Sequence, residues 1–292
     1  MIKASIAQRI FNVFNIAFLC ILCFVALYPV YFVLVASLSD SSLLLKHTGI
    51  LMGPLGFSLE AYRSVMINPN IYTGYGNTLF IVLVGTSLNL AVTSGAAYAL
   101  SRRSMTTRVP VMMGIIFTMM FSGGLIPLFL VVRDLGLYNS RWSLILPTLV
   151  NATNLTIMRT SFQEIPASLE ESAKIDGAND LVVFSRIVLP LSKAVIAVIC
   201  LYYGVAHWNS WFHASIFLRD RRLFPLQLIL REILIMNDTT AMDSSGSVGD
   251  AEMIGESIKY ATIIVSTLPI LLLYPYLQKY FVKGIMIGAV KG

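Results

Sequence analysis

Long stretches without a charged side chain constrain the fold of this sequence more than any other feature. A membrane-spanning helix needs about 20 consecutive, mainly apolar residues, and cutting the sequence at its charges leaves six stretches that can each supply one crossing. Only 12% of the residues are charged and 57% are hydrophobic, so the charges are too few to cover a water-facing surface. Helices satisfy their own backbone hydrogen bonds in lipid. The sequence therefore predicts an all-α integral membrane protein whose surroundings are a lipid bilayer.

Six transmembrane helices are predicted, at about 11–36, 78–100, 109–132, 142–160, 194–218 and 260–279. Several polar residues dilute the fourth stretch: Asn151, Thr153, Asn154 and Thr156. Because polar side chains avoid lipid, we expect this helix to pack inside the bundle. We interpret residues 1–292 as a single transmembrane domain with a long outer loop at 219–259.

The charges predict an orientation rather than a nucleic-acid partner. The formal net charge is +6, but the basic residues lie between the apolar stretches instead of forming one patch or tail. Lys and Arg flanking the spans are more frequent on one side, where we find Lys3, Arg9, Arg102, Arg103, Arg108, Lys174, Arg186, Lys193, Lys279, Lys283 and Lys291. The positive-inside rule makes that side the cytoplasm, so both termini are predicted to be cytoplasmic.

Metal or nucleophilic chemistry is not indicated by the cysteines and histidines. Cys20, Cys23 and Cys200 lie inside apolar stretches and are interpreted as packing residues. The three histidines show no metal-ligand spacing. An intramembrane enzyme or an ion-coupled secondary transporter or channel are the alternatives, and the latter commonly buries carboxylates at mid-membrane, which are not evident here.

The segment 161–193 is patterned like a helical hairpin rather than a plain connector. Ser168 and Glu171 have the spacing of a capping box, which predicts a helix start. Gly177 is expected to end this helix, because glycine adopts the left-handed conformation without steric penalty.

A second helix is predicted to follow over 181–188. Asn179 can cap its start, and Pro190 comes soon after its predicted end. The result would be a helix, a glycine elbow and a second helix on the inner surface of the membrane.

This hairpin resembles the signature loop of the permease subunits of binding-protein-dependent ABC importers. The likeness rests on Glu171-Ser172-Ala173 with Gly177, followed by Ile187-Val188-Leu189-Pro190; Ser172 departs from the alanine usual there. The resemblance implies the type I, MetI-like permease fold with a cytoplasmic coupling helix. It also implies that ATPase coupling is carried by Glu171, Ser172, Ala173, Asp176, Gly177, Ala178, Ile187, Leu189 and Pro190.

Partners follow from the same resemblance. It implies two cytoplasmic ATPase subunits, a second and non-identical permease, and an extracellular or periplasmic sugar-binding protein, in a bacterial cytoplasmic (inner) membrane. The chain lacks a glycine-rich phosphate loop with Lys-Ser or Lys-Thr, so it is expected to be non-catalytic, with no cofactor of its own and with ATP and Mg on the partner subunits. The carboxyl-terminal tail is similar to that of maltose-type permeases, in which it contacts the ATPases, and this implies a contact through Lys291 and Gly292.

A sugar path should present amides and aromatic faces within the bundle. The candidates are Asn151, Asn154, Trp208, Asn209 and Trp211. Interhelical hydrogen bonding by the asparagines and interfacial anchoring by the tryptophans are the alternatives. The outer loop 219–259 is a candidate contact for the binding protein, or a flexible connector. Oligosaccharides of neutral sugars and of uronic acids, such as alginate fragments, both fit the resemblance.

Overall fold

The computed structural model describes residues 6–243 and 257–272, and no strand element occurs in these ranges. The first helices are α1 (Ile6–Ser37), α2 (Ser41–Lys46), α3 (Glu60–Ile67), α4 (Pro69–Ser101), α5 (Arg108–Met120), α6 (Leu125–Asp134), α7 (Trp142–Ile145), α8 (Ala152–Gln163) and α9 (Ala167–Ile175). They are followed by α10 (Asp180–Val183), α11 (Leu189–Leu191), α12 (Lys193–Trp208), α13 (Trp211–Phe217), α14 (Leu226–Asp243) and α15 (Ser257–Leu272). Short 3-10 helices cover Leu146–Thr148 and Arg221–Leu223, and a π-helical segment covers Phe184–Val188.

Two helices of the described chain, α1 and α4, are long and apolar enough to cross a membrane. The number rises to four if each of two bent helix pairs is one span, and α15 is a shorter apolar helix. Residues 273–279 of the sixth predicted span lie outside the described residues. The count of six crossings therefore stays a prediction.

The third predicted span is two helices instead of one. The helix direction bends by 117° between α5 and α6. The break contains Ser122-Gly123-Gly124, in which Gly124 has a φ of +84°. A glycine reaches this conformation without the steric cost that other residues bear. The sequence 109–132 contains no charged residue and is mainly apolar, so hydropathy alone did not separate the two helices.

The fourth and fifth predicted spans are also interrupted. Residues 149–151 separate a short 3-10 turn from α8, and Asn209 and Ser210 separate α12 from α13. Helix α8 does pack inside its unit as expected, because Leu155, Met158 and Phe162 are buried.

Chain contacts divide the protein into two compact units. The first contains residues 1–69 and 232–268. In it, the segment after α1 folds back: the Asp40 backbone N–H donates to the carbonyl of Leu55 at 2.8 Å, and the Asp40 carboxylate caps α2. Hydrogen bonds from the Ser42 hydroxyl and from the backbone hold the pKa of Asp40 below its usual value.

Within the described residues, the second unit contains 70–231 and 269–272, and α4 contributes residues to both of its apolar clusters. One apolar cluster packs around Ile81, Leu144 and Phe217 near the start of α4. Another packs around Leu100, Met158 and other residues near its end. Buried polar side chains of α4, among them Asn89 and Thr93, lie between these clusters in sequence.

Candidate functional site

The elbow hairpin, defined here as residues 167–191, lies at the carboxyl end of α4 and contains the family-like motif. Its first helix, α9, ends in a Schellman turn: Gly177 N–H donates to the Lys174 carbonyl at 3.0 Å, and Ala178 N–H donates to the Ala173 carbonyl at 2.9 Å. Gly177 has a φ of +82°. The prediction that Gly177 ends this helix is therefore confirmed.

The predicted capping box at Ser168 is wrong. Helix α9 already begins at Ala167, and the N-cap position is occupied by Pro166, whose ψ of 129° is extended and whose side chain makes no capping hydrogen bond. Ser168 is thus inside the first turn, where it cannot act as the non-helical cap.

The second arm of the hairpin begins as predicted but continues further. The Asn179 side chain accepts a hydrogen bond from Val182 N–H at 2.9 Å, so it caps α10. The expected end at Val188 is not observed, because helical structure continues to Leu191. Leu189 N–H donates to the Phe184 carbonyl, and this wide turn accommodates Pro190, which has no N–H to donate.

Four of the nine predicted coupling residues attach the hairpin to the rest of the unit. Ala173, Ala178, Ile187 and Leu189 are half-buried against an apolar cluster that includes residues of α4, α8 and α12. Val183 and Val188, which are not among the predicted coupling residues, are fully buried there. A force applied to the hairpin would therefore be transmitted to the long helices through close packing.

The other five predicted coupling residues are exposed: Glu171, Ser172, Asp176, Gly177 and Pro190. Two apolar side chains that sequence reasoning missed stand beside them, Ile175 with 87% of its surface exposed and Leu181 with 72%. Exposed apolar side chains around a polar turn are typical of a protein contact surface. Their signal in the sequence was weak, because a single Ile or Leu in an amphipathic helix is usually a packing residue.

Arg102, just after α4, holds the first helix of the hairpin. Its guanidinium pairs with the Glu170 carboxylate and lies over the Tyr98 ring, 4.6 Å from the centroid. Burial lowers the pKa of Arg102 below its usual value, although an arginine stays charged at any physiological pH. The Lys174 ammonium, 2.9 Å from the Asp180 carboxylate, has a raised pKa because of that hydrogen bond.

Replacing Arg102 with Met is expected to loosen the hairpin without unfolding the protein. The change removes the partner of Glu170, whose side chain is 14% exposed, and leaves a partly desolvated charge. We expect faster proteolysis and faster hydrogen exchange within 167–191. The matched control is Arg103→Met, because Arg103 is exposed and belongs to no ion pair described here; equal changes in both variants would contradict the prediction.

A polar layer of four side chains, Asn89, Thr93, Tyr203 and His207, crosses the middle of the second unit. Asn89 donates through Nδ2 to the carbonyls of Thr148 and Leu149, at 2.7 and 2.8 Å. Its Oδ1 is 2.7 Å from Nε2 of His207.

Tyr203 completes the layer. Its hydroxyl accepts from Asn151 N–H at 2.9 Å and pairs with the Thr93 hydroxyl at 2.8 Å. Non-helical backbone inside a membrane needs partners supplied by the protein. The polar layer thus satisfies the carbonyl and N–H groups that the break at 149–151 leaves without helical partners.

The ring of His207 occupies the space that a side chain at position 85 would need. A Cβ on Gly85 would lie 2.6 Å from Nε2 of His207 and 2.9 Å from its Cε1. The histidine therefore packs directly against the backbone of α4, in reach of Asn89.

A cleft of about 540 Å³ opens beside the polar layer. Its wall includes Asn151, Asn154 and Asn209, three of the five predicted substrate-path residues. The wall also contains Ser210 and His213, which the prediction did not include. They lie in and next to the break between α12 and α13, which hydropathy did not predict.

The two tryptophans do not line this cleft. Trp208 is buried, with its ring 6.4 Å from that of Tyr75, and the guanidinium of Arg231 lies 4.3 Å from the ring centroid of Trp211. The structure thus brings the asparagines together and leaves the tryptophans elsewhere in the unit. The predicted tail contacts Lys291 and Gly292 lie outside the described residues.

Comparison with known proteins connects this geometry to a family. Residues 91–287 match the model of the binding-protein-dependent transport system inner membrane component. The chain belongs to this family. The matched region contains the elbow hairpin, the polar layer from Thr93 onward and the cleft.

Relatives and a solved structure agree with that membership. The polygalacturonan/rhamnogalacturonan transport system permease protein YtcP of Bacillus subtilis is 44% identical over 97% of this chain and 99% of its own length. Protein LplC of the same organism is 42% identical over 98% of this chain and 96% of its own. A chain from the crystal structure of a bacterial ABC transporter involved in the import of the acidic polysaccharide alginate superposes with a TM-score of 0.87, at 33% identity, covering 96% of this chain and 100% of that chain.

This inner-membrane component therefore has the fold of an ABC importer permease. The prediction of that family from the hairpin motif is confirmed.

Proposed function

We propose that this permease forms half of the translocation path for an acidic oligosaccharide in an ATP-driven importer, and that the elbow hairpin receives the motion of an ATPase subunit. The observation that carries the proposal is the hairpin itself: an exposed turn at Gly177, flanked by Ile175 and Leu181, attached to the long helices by buried side chains. Such an element can transmit a rigid-body movement between a partner and a membrane bundle.

The proposed substrate is a uronate oligosaccharide. One relative is named for polygalacturonan and the solved neighbour for alginate, and both polymers contain uronic acid units. The cleft wall offers amides, hydroxyls and imidazoles, which can hydrogen-bond with sugar hydroxyls and carboxylates.

The proposed assembly contains two cytoplasmic ATPase subunits that bind ATP and Mg, a second, non-identical permease, and an extracellular sugar-binding protein that meets the 219–259 loop. In this arrangement the chain crosses the membrane six times, has both termini in the cytoplasm, and contacts the ATPases through Lys291 and Gly292. Support comes from the family membership and from the distribution of Lys and Arg.

Cysteine cross-linking in native membranes tests the proposal. In a variant lacking Cys20, Cys23 and Cys200, the thiol introduced by Ile175→Cys is expected to form a cross-link to a nucleotide-hydrolysing subunit through a short cross-linking reagent. Met52→Cys is the matched control, because Met52 is similarly exposed, at 81% against 87% for Ile175, but belongs to the segment after α1, on the proposed outer side. Failure of Ile175→Cys to capture an ATPase, or equal capture from both positions, would contradict the docking role.

A further inference from the structure

The cleft wall offers hydrogen-bond donors that nothing in the described structure engages. Asn151 uses its Oδ1 to accept from Asn154 N–H at 3.1 Å, which leaves its NH₂ group available. The Ser210 hydroxyl oxygen is buried and has no partner within the described residues. His213 is half-buried and, in the same part of the chain, makes ring contacts but no hydrogen bond.

Ser210 and His213 are the two donors best placed to act together. Ser210 directly precedes α13 and His213 lies in the first turn of that helix, and both line the cleft. The other histidine in the wall, His207, is already engaged with Asn89 at 2.7 Å. His213 is therefore the cleft histidine whose ring nitrogens are available to a ligand.

The described wall of the cleft carries no fixed charge, which is compatible with an anion that must both bind and leave again. Among the described residues that line it, none is Asp or Glu, and none is Lys or Arg. A carboxylate is an acceptor only, so it gains from hydroxyl and imidazole donors and meets no repulsive carboxylate. A transport site must also release its substrate, and neutral donors hold an anion less tightly than a fixed ammonium or guanidinium would.

We propose that Ser210 and His213 bind the carboxylate of a uronate unit as it passes through the cleft, and so distinguish acidic from neutral oligosaccharides. This inference rests on the proposed function, since it assumes an acidic substrate. Asn209 complements the pair: its Nδ2 donates to the Val205 carbonyl at 3.1 Å, which leaves Oδ1 to accept from a sugar hydroxyl.

The test measures direct binding to the purified importer complex without its binding protein. The two probes are trigalacturonate and its carboxyl-reduced, neutral trisaccharide. His213→Phe keeps the ring that stacks on Phe217, whose centroid is 5.7 Å away at an interplanar angle of 1°, but removes both ring nitrogens. We expect it to weaken trigalacturonate binding about tenfold, the effect of losing one hydrogen bond to a charged group.

A matched pair of serine variants is Ser210→Ala, directly before α13, and Ser215→Ala, within α13. Ser215 is exposed, donates to the Phe212 carbonyl at 2.8 Å and does not line the cleft, so its loss should leave binding unchanged, whereas Ser210→Ala should weaken trigalacturonate binding. Binding of the neutral trisaccharide should change less than about twofold in every variant.

Three results would overturn the inference: equal affinity of the wild-type complex for both probes, no binding of either, or an equal loss for both probes in His213→Phe. The proposed function is decided separately, by whether the wild-type complex with its binding protein imports trigalacturonate into proteoliposomes. Import without selective loss in the variants would refute the carboxylate role alone.

Discussion

Gly177→Glu is expected to abolish transport while the protein still inserts and folds. A Cβ at this position would meet nothing within 4 Å in this chain, so the intramolecular cost is only that of a positive φ, about 1 kcal/mol. A glutamate side chain would, however, project from the exposed turn into the proposed ATPase contact. Uptake and ATP hydrolysis by the reconstituted complex measure the effect, and the amount of inserted protein measures folding.

Gly136 provides a closely matched control. It has a φ of +70°, and its turn has the same two hydrogen bonds, from Gly136 N–H to the Arg133 carbonyl and from Leu137 N–H to the Val132 carbonyl. A Cβ there also meets nothing within 4 Å. Gly136→Glu therefore introduces the same backbone strain at a site outside the hairpin, and we expect transport to survive. If the Gly177→Glu variant takes up substrate at the wild-type rate, the elbow hairpin does not dock on an ATPase subunit.

Asn89→Leu is expected to destabilise the second unit more than any other single change in the polar layer. The substitution leaves two backbone carbonyls and the His207 ring without their partner, at a site where Asn89 is fully buried. We expect a loss of about 3 kcal/mol, which corresponds to a melting temperature lower by about 6–10 °C for a domain of this size. Thermal unfolding of the purified protein in detergent measures it.

Ser94→Ala is the control on the same helix. Ser94 is buried like Asn89, but its hydroxyl donates only to the Ala91 carbonyl of its own helix, at 3.2 Å. That carbonyl keeps its helical environment after the change, so the decrease in the free energy of unfolding should stay below about 1 kcal/mol. Similar melting temperatures for the two variants would mean that Asn89 does not secure the break at 149–151.

The sequence predicted the parts of this protein that depend on local chemistry. Gly177 and Asn179 were assigned correctly, because a left-handed turn and an Asx cap are decided by a few neighbouring residues. The family could also be predicted from the sequence, since its motif has fixed residues at fixed spacing. Ser168 was misassigned because the helix begins at Ala167, earlier than the capping-box spacing predicts, with Pro166 as the extended residue before it.

Interruptions of the apolar helices could not be predicted in the same way. Breaks near Gly124, at 149–151 and at 209–210 lie within stretches whose hydropathy is compatible with one helix. The break at 149–151 is stabilised by partners distant in sequence, Asn89 for residues 148 and 149 and Tyr203 for residue 151. The cleft residues Ser210 and His213 depend on these breaks, so they were missed together with them.

The His207 ring packs directly against the backbone at Gly85, so these two positions, which are far apart in sequence, constrain each other. Any lineage that gains even a methyl group at position 85 must shrink or relocate the residue at 207, and Oδ1 of Asn89 would then need a new hydrogen-bond donor. Substitutions at these three positions are therefore expected to arise jointly during divergence, leaving a covariation signature that an alignment of close relatives can reveal.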